Sequence, residues 1–280
     1  MTKSWSDLED VVNADYTEYN NLLVIDGNNV SYRYIQRANY DSYEDDFKRT
    51  ISSLAKSYKA KRTIVCFDFG KSYYRMNLLS DYKGTRKKAE TEEEIEHAEK
   101  FFAVLNRLPE TLDEEVLKFR GIEADDTIAY ITQNVSSRYD HTWIVSSDKD
   151  IIQLVDDNIS IFNIFSRKEI TKQYLQEELQ LTPSEFMLSR IIEGDKGDNI
   201  IGIEGIGPKR AQALAKEYKT LDKLLAALPI KSKSQYITNL NAGRERLIRN
   251  ETLINLKSYY QTAIDAGKEG DDPMEILSEL

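Results

Sequence analysis

Leu22-Leu23-Val24-Ile25-Asp26-Gly27-Asn28-Asn29 decides the fold. Four apolar residues stop at an aspartate followed by turn-forming glycine and asparagine. That order predicts a short buried β-strand ending in a turn. The pattern returns along the chain. Thr63 to Phe67 is a second such run and ends at Asp68-Phe69-Gly70. Thr142-Trp143-Ile144-Val145 runs into Ser146-Ser147-Asp148-Lys149-Asp150. Val116 to Phe119 and Ile159 to Phe165 add two more strands. Helical periods lie between them: Phe47, Ile51, Leu54 and Tyr58 within Tyr43 to Tyr58, and the run from Glu123 to Val135. Strands alternating with helices predict an α/β fold, with a mostly parallel central sheet and helices on both faces.

Working outward, residues 1–20 show no period and are expected to form an N-terminal tail. The stretch from Lys83 to Pro109 opens with Lys83, Arg86, Lys87 and Lys88, then turns strongly charged from Glu90 to Lys100. Ile95, Ala98, Phe102 and Leu105 mark a narrow apolar stripe, which predicts a helical insertion beside the core. After about residue 170 the pattern changes to short helices with turns. The expected organisation is an α/β domain over 21–180 and a helical region over 181–280, with Asp271-Asp272 opening a short tail.

The chain has 280 residues, 40% of them hydrophobic, enough to bury a real core. Its lone cysteine, Cys66, sits in Ile64-Val65-Cys66-Phe67 and is expected in the core. One cysteine excludes an intrachain disulfide and a paired-cysteine zinc cluster, which fits a reducing cytoplasm. The polar, acidic start is unlike a signal peptide, and nowhere do about 18 apolar residues run together to span a membrane. The net charge of −10 argues against nucleic acid as a partner. That argument fails if many carboxylates converge on bound cations.

The acids are placed for such convergence. Asp26, Asp68, Asp148 and Asp150 follow strands, and ligands of open α/β sheets bind at the carboxyl ends of strands. Gly121-Ile122-Glu123-Ala124-Asp125-Asp126 brings three acids to a helix start, with Glu123 and Asp126 on one face. Glu193-Gly194-Asp195-Lys196-Gly197-Asp198-Asn199 adds another pair three apart. A single aspartate in such a place is commonly a turn or cap residue. The whole series points instead to oxygen ligands for Mg²⁺ or Mn²⁺, because crowded carboxylates need cations. Two such ions suit phosphodiester hydrolysis.

Directly afterwards comes Gly202-Ile203-Glu204-Gly205-Ile206-Gly207-Pro208-Lys209-Arg210, followed by a helix with Ala211, Leu214, Ala215 and Tyr218 on one face. Gly205 and Gly207 allow a tight turn whose amides face outward, and Lys209 and Arg210 add charge. This helix-hairpin-helix, expected over about 194–219, suits DNA-backbone contact without base reading.

On these motifs the chain resembles the 5′ nuclease family, and within it the flap endonucleases (5′–3′ exonucleases) of T-five-type bacteriophages. The likeness rests on Gly194-Asp195-Lys196-Gly197-Asp198-Asn199-Ile200 running into the hairpin. Ile25-Asp26-Gly27, Tyr82-Lys83-Gly84-Thr85-Arg86, Glu123-Ala124-Asp125-Asp126 and Ser147-Asp148-Lys149-Asp150 add to it. It covers roughly residues 20–260. It implies one metal position on Asp26, Asp68, Glu123, Asp125 and Asp126, directly or through water. A second would use Asp148, Asp150, Asp195 and Asp198, with Asp125 shared. Lys83 would reach the scissile phosphate, helped by Arg86, at the base of a helical arch over about 83–110. The resemblance further implies K⁺ in the hairpin and a substrate of branched or 5′-flap DNA. A monomer in the cytoplasm is expected, that of the host if the chain is of phage origin. The segment between the arch and Glu123 is short for this family, so a trimmed arch is expected. Tyr82 is expected to stack a base, and Lys231, Lys233, Arg244, Arg246 and Arg249 to carry duplex.

Three other classes compete with this reading. A DNA-junction binder without catalysis would lack part of the acid set. Compact RNA-cutting nucleases usually lack the charged arch and the hairpin. A doubly wound nucleotide-binding enzyme would carry glycine spacing that Asp26-Gly27-Asn28-Asn29 does not have. His97, within the charged arch, and His141, before a strand, make histidine chemistry a poor reading.

Overall fold

The computed structural model describes residues 19–36, 40–86, 89–267 and 272–280. Most of the expected N-terminal tail, Lys87, Lys88 and Asp271 lie outside them.

The first apolar run forms β1 (Asn21–Asp26), and a short helix α1 (Gly27–Ser31) turns off its end. Then come α2 (Tyr43–Ser57), β2 (Ala60–Phe69), α3 (Tyr73–Leu78), α4 (Glu92–Thr111) and β3 (Glu115–Arg120). α5 (Ala124–Asn134), β4 (His141–Val145), β5 (Ile159–Asn163) and β6 (Lys168–Ile170) complete the α/β part. Strand order is β3-β2-β1-β4-β5-β6, parallel throughout except for the antiparallel edge strand β6.

β1 shows why its run is unbroken rather than alternating. Leu22 and Val24 face one side with Ile128 and Ile131 of α5. Leu23 and Ile25 face the other with Phe47 of α2 and Phe101 of α4. A strand covered on both faces has no polar side to present. Cys66 is fully buried among these residues.

The arch helix differs from expectation in phase. Its buried stripe is Phe101, Val104, Leu105 and Leu108, while Ile95 and Phe102 are exposed. The C-terminal half of α4 therefore belongs to the main core, where Phe101 stacks on Tyr43 at 5.6 Å. Only its first turns stand clear, started by a Thr91/Glu94 capping box. His141 is also corrected, from a position before β4 to one within it.

The helical region contains α6 (Pro183–Glu193), the small hairpin β7 (Gly194–Asp195) and β8 (Ile200–Ile201), and α7 (Pro208–Tyr218). α8 (Leu221–Ala227), α9 (Gln235–Ala242), α10 (Arg244–Ile254), α11 (Leu256–Ala266) and α12 (Pro273–Ser278) follow. Ile191, Ile192, Ile203, Ile206, Leu240 and Leu247 form its core. Leu256 and Ile264 of α11 instead join the sheet core. Gly202 is required where the backbone doubles back, since a Cβ there would lie 1.9 Å from the Glu193 carbonyl oxygen. Among the described residues, no helix is long and apolar enough to cross a membrane.

Candidate active site

The carboxyl edge of the sheet gathers the acids, each fixed by backbone or hydroxyl donors. Asp26 caps α1. It accepts the Asn29 N–H at 3.0 Å on one oxygen and the Ser146 hydroxyl at 2.8 Å on the other. Asp68, next to last in β2, accepts the Ala124 N–H at 2.7 Å and so ties β2 to the start of α5. Asp125 and Asp126 lie in the first turn of α5, with Glu123 as its N-cap residue. The loop after β4 brings Asp148, which accepts the Asp150 N–H at 2.8 Å.

The electrostatics show that these acids share one field. Burial, then Asp68, pushes the Asp26 carboxyl from 3.8 up to about 7. Burial first, then Asp148, Asp26 and Asp68, holds Asp125 well above the usual carboxylate range. Burial also raises Asp68, with Lys83 opposing it. Desolvation in the cleft raises Asp148, against the Asp150 N–H that lowers it. Each of these groups is disfavoured in its charged form by loss of water and by a neighbouring carboxylate, Glu123 for Asp68 and Asp198 for Asp148.

A second cluster adjoins the first. Burial pushes Asp150 up to about 6, although Arg190 pulls it down. The Arg190 guanidinium donates to Asp150 at 2.8 Å and to Asp195. Asp195 also accepts the Gly197 N–H at 2.7 Å. Asp198 accepts the Tyr82 hydroxyl at 2.9 Å and the Arg86 guanidinium at 2.8 Å. The backbone N–H of Lys83, a residue at φ +55, donates to the Asp198 carbonyl at 3.0 Å and pins the base of the arch here.

Cations already thread between the acids. The Lys83 ammonium lies 2.5 Å from Glu123 and 3.9 Å from Asp198. Burial works against its charge, but Glu123, Asp198 and Asp68 together raise its pKa. Arg75 donates to both oxygens of Asp126, at 2.6 and 2.9 Å, and to Glu123 at 3.3 Å.

Two expectations are corrected. Asp126 is fully buried with both oxygens on Arg75, so it stands here as an ion-pair partner and not as a direct ligand. Tyr82 is 2% exposed and donates its hydroxyl to Glu123 and Asp198, so its ring is not free to stack a base. It orients carboxylates instead.

Sequence reasoning missed Arg75 and Arg190. Arg75 leaves no periodic signal in the short helix α3. Arg190 does leave one: a lone arginine in Phe186-Met187-Leu188-Ser189-Arg190-Ile191-Ile192 needs a buried acid.

Among the described residues, no three acidic, histidine or cysteine side chains form a ready ion cage. The donor set nonetheless fits hard divalent cations. It is all carboxylate oxygen, converging and partly desolvated, with Asp26 and Asp150 pushed up chiefly by burial and then by neighbouring acids. Entry of ions requires Lys83 and Arg190 to yield some of these oxygens.

The hairpin is built differently. Gly205 takes φ +78, and Gly205, Gly207, Lys209 and Arg210 are all exposed. The Gly202 carbonyl accepts Arg246, Ile203 accepts the Ile206 N–H, Glu204 accepts Asn239, and Gly205 accepts Arg210 at 2.6 Å. Each carbonyl from Gly202 to Gly205 thus accepts one donor, two of these being the exposed guanidinium groups of Arg246 and Arg210, which would have to move aside for a K⁺ ion. Arg210 also lies 4.5 Å from the Tyr236 ring centre.

Comparison with known proteins agrees with this geometry. The family profile described as the 5′-3′ exonuclease N-terminal resolvase-like domain matches residues 21–180. That of the 5′-3′ exonuclease C-terminal SAM fold matches 181–268. The flap endonuclease of Escherichia phage T5 is 38% identical over 95% of this chain and 94% of its own length. A 5′-3′ exonuclease of Buchnera aphidicola is 30% identical over 89% of this chain and 84% of its own. The crystal structure of the phage T5 flap endonuclease with DNA and metal ions superposes with a TM-score of 0.88 at 36% identity, covering 92% of this chain and 97% of the other. With both profiles matched end to end and the acid edge in place, the chain belongs to the 5′-3′ exonuclease family.

Proposed function

We propose that this chain is a structure-specific 5′ nuclease. It hydrolyses phosphodiester bonds near the junction of branched or 5′-flap DNA and trims 5′ ends, in replication or repair. The observation that carries this reading is the shared field of Asp26, Asp68, Asp125 and Asp148 on one sheet edge of a family member. Its cofactors are two or more Mg²⁺ ions, for which Mn²⁺ can substitute. Asp26, Asp68, Glu123 and Asp125 hold the first. Asp148, Asp150, Asp195 and Asp198 hold the second, with Asp125 between them. Ions bound there polarise the scissile phosphate and acidify an attacking water.

The residues do the positioning. Asp26 and Asp68 are locked by Ser146, Asn29 and Ala124, so their oxygens cannot drift when an ion is lost. Lys83 and Arg86 sit at the base of α4, where they leave Glu123 and Asp198 to offset charge on the phosphate oxygens. The 5′ strand passes the arch over about 83–110. The amides after Gly205 and Gly207, with Lys209 and Arg210, hold the duplex backbone, and K⁺ at the hairpin would add to this hold. The working division is a nuclease domain over 21–180 and a helical region over 181–280 with its hairpin over 194–219. The protein acts as a monomer in the cytoplasm, that of the host if it is of phage origin, and its single free, buried thiol is compatible with a reducing compartment.

The test is a 5′-labelled flap DNA incubated with Mg²⁺, with and without chelator, and its product ends mapped. Cutting near the junction that stops with chelator is the expected outcome. Cutting that survives chelation, or no cutting with Mg²⁺ or Mn²⁺, contradicts the reading.

A further inference from the structure

Arg190 ties Asp150 to Asp195, and ions entering the second metal position must displace it from these oxygens. The acids come from two parts of the chain. Asp148 and Asp150 follow β4, whereas Asp195 and Asp198 belong to the β7–β8 hairpin. Once Arg190 yields, their spacing has to be kept by other groups. Two buried amide side chains are placed to keep it.

Gln153 lies in a short 3₁₀ helix, Asp150–Leu154, that starts at Asp150 itself. Its buried amide nitrogen donates to the Asp150 carbonyl at 2.8 Å and to the Ile254 carbonyl at 2.9 Å. Its amide oxygen accepts the Leu256 N–H at 3.0 Å. Ile254 ends α10 and Leu256 begins α11. A carbonyl at a helix end and an N–H at a helix start have no partner inside their own helices, and one side chain satisfies both. A buried amide costs free energy unless its donors and acceptor are used, and here both hydrogens and the oxygen are. The grip reaches Asp148 as well, because Asp148 accepts the Asp150 N–H.

Asn250 sits one turn earlier on α10 and is fully buried. Its amide nitrogen donates to the Ile191 carbonyl and to the Ile201 carbonyl, both at 3.0 Å. Ile191 lies near the end of α6 and Ile201 in β8, so the two carbonyls flank the turn that carries Asp195 and Asp198. The last turn of α10 is thus a common reference for both pairs of acids.

We propose that Gln153 is a positioning residue for the second metal position, fixing the Asp150 backbone to the end of α10, from which Asn250 fixes the Asp195–Asp198 turn. The assignment rests on the nuclease reading for the metal. Mn²⁺ binding tests it, read by electron paramagnetic resonance of the free ion, with the full chain and no DNA. Wild type should bind at least two ions. Gln153→Met keeps the length of the side chain but cannot donate. In that variant one ion should bind about ten- to a hundredfold more weakly, as when a group that holds a metal ligand in place is lost, and the other should bind as in wild type. Cutting of flap DNA by the variant should recover as Mn²⁺ is raised, with DNA affinity in chelator unchanged.

Leu247→Ala is the control, since Leu247 is buried on the same helix in the core of the helical region. Equal weakening by that variant would mean general loosening and overturn the proposal. So would equal weakening of both ions in Gln153→Met, or of neither. Should Gln153→Met not fold, Gln153→Ala takes its place with the same expectation, because it leaves room for water on the freed carbonyls. Two ions in wild type beside unaltered binding in the variant remove the Gln153 assignment alone. Fewer than two ions in wild type remove the metal account of the nuclease, and this assignment with it.

Discussion

The sheet edge and the hairpin both face DNA in this account, yet they are built on opposite principles. At the sheet edge, charge is in excess: Asp26 is raised by burial and by Asp68, Asp125 by burial and by Asp148, Asp26 and Asp68, and Lys83, Arg75 and Arg190 are drawn in among the acids. At the hairpin, polar groups are satisfied: each carbonyl from Gly202 to Gly205 has its donor, and the cations face solvent. The first arrangement stores a demand for metal and so supports chemistry. The second is complete without ligand and supports docking.

The largest effect should separate these roles. Asp148→Asn with Asp150→Asn should abolish cutting by orders of magnitude while flap binding stays close to wild type, because the hairpin is untouched. Full activity in that variant would remove the metal account. Next comes Arg75→Ala, which leaves Asp126 buried and unpaired. Urea unfolding should show a loss of about 3–5 kcal/mol, typical of a broken buried pair. A loss no larger than for an exposed residue would show that Asp126 is hydrated.

Lys83→Ala and the pair Lys209→Ala with Arg210→Ala should then diverge. The first should slow single-turnover cutting at saturating DNA more than it weakens binding. The second should weaken binding and reduce the salt slope by about 0.9 per phosphate contact, with saturated cutting little changed. Identical behaviour would mean that Lys83 is only a backbone clamp.

The smallest expected effect is on pH and stability. Asp26 has its folded value near 7 against an ordinary 3.8. Between those values the folded chain keeps a proton that the unfolded chain loses, so its stability falls as pH rises through that window and levels off above it. Bound Mg²⁺ removes this penalty. The rise in melting temperature on adding Mg²⁺ should therefore grow from about pH 5 to about pH 8. A gain independent of pH would place the ions away from Asp26.

Much of this was legible in the sequence, for physical reasons that can be named. β1, β2 and β4 are marked because residues covered on both faces must be apolar, and their ends are marked because aspartate stops the run. The acid set was visible for the same reason. Three things were not. The burial phase of α4 was misjudged because Ile95 and Phe102 look like core residues but face outward, while Phe101 and Val104 meet Tyr43 and the sheet. β6 is three residues long and carries no period of its own. The roles of Asp126 and Tyr82 turn on Arg75 and on Asp198, partners 51 and 116 positions away. Spacing along the chain reveals which residues could be ligands, but not which of them a buried cation has already claimed.

The most direct test is a crystal of the chain soaked in Mn²⁺ and read by anomalous scattering. The account predicts Mn²⁺ peaks among Asp26, Asp68, Asp125 and Asp148, with Lys83 drawn back from Glu123. Absence of manganese from that edge, with the Lys83–Glu123 pair intact, would contradict it.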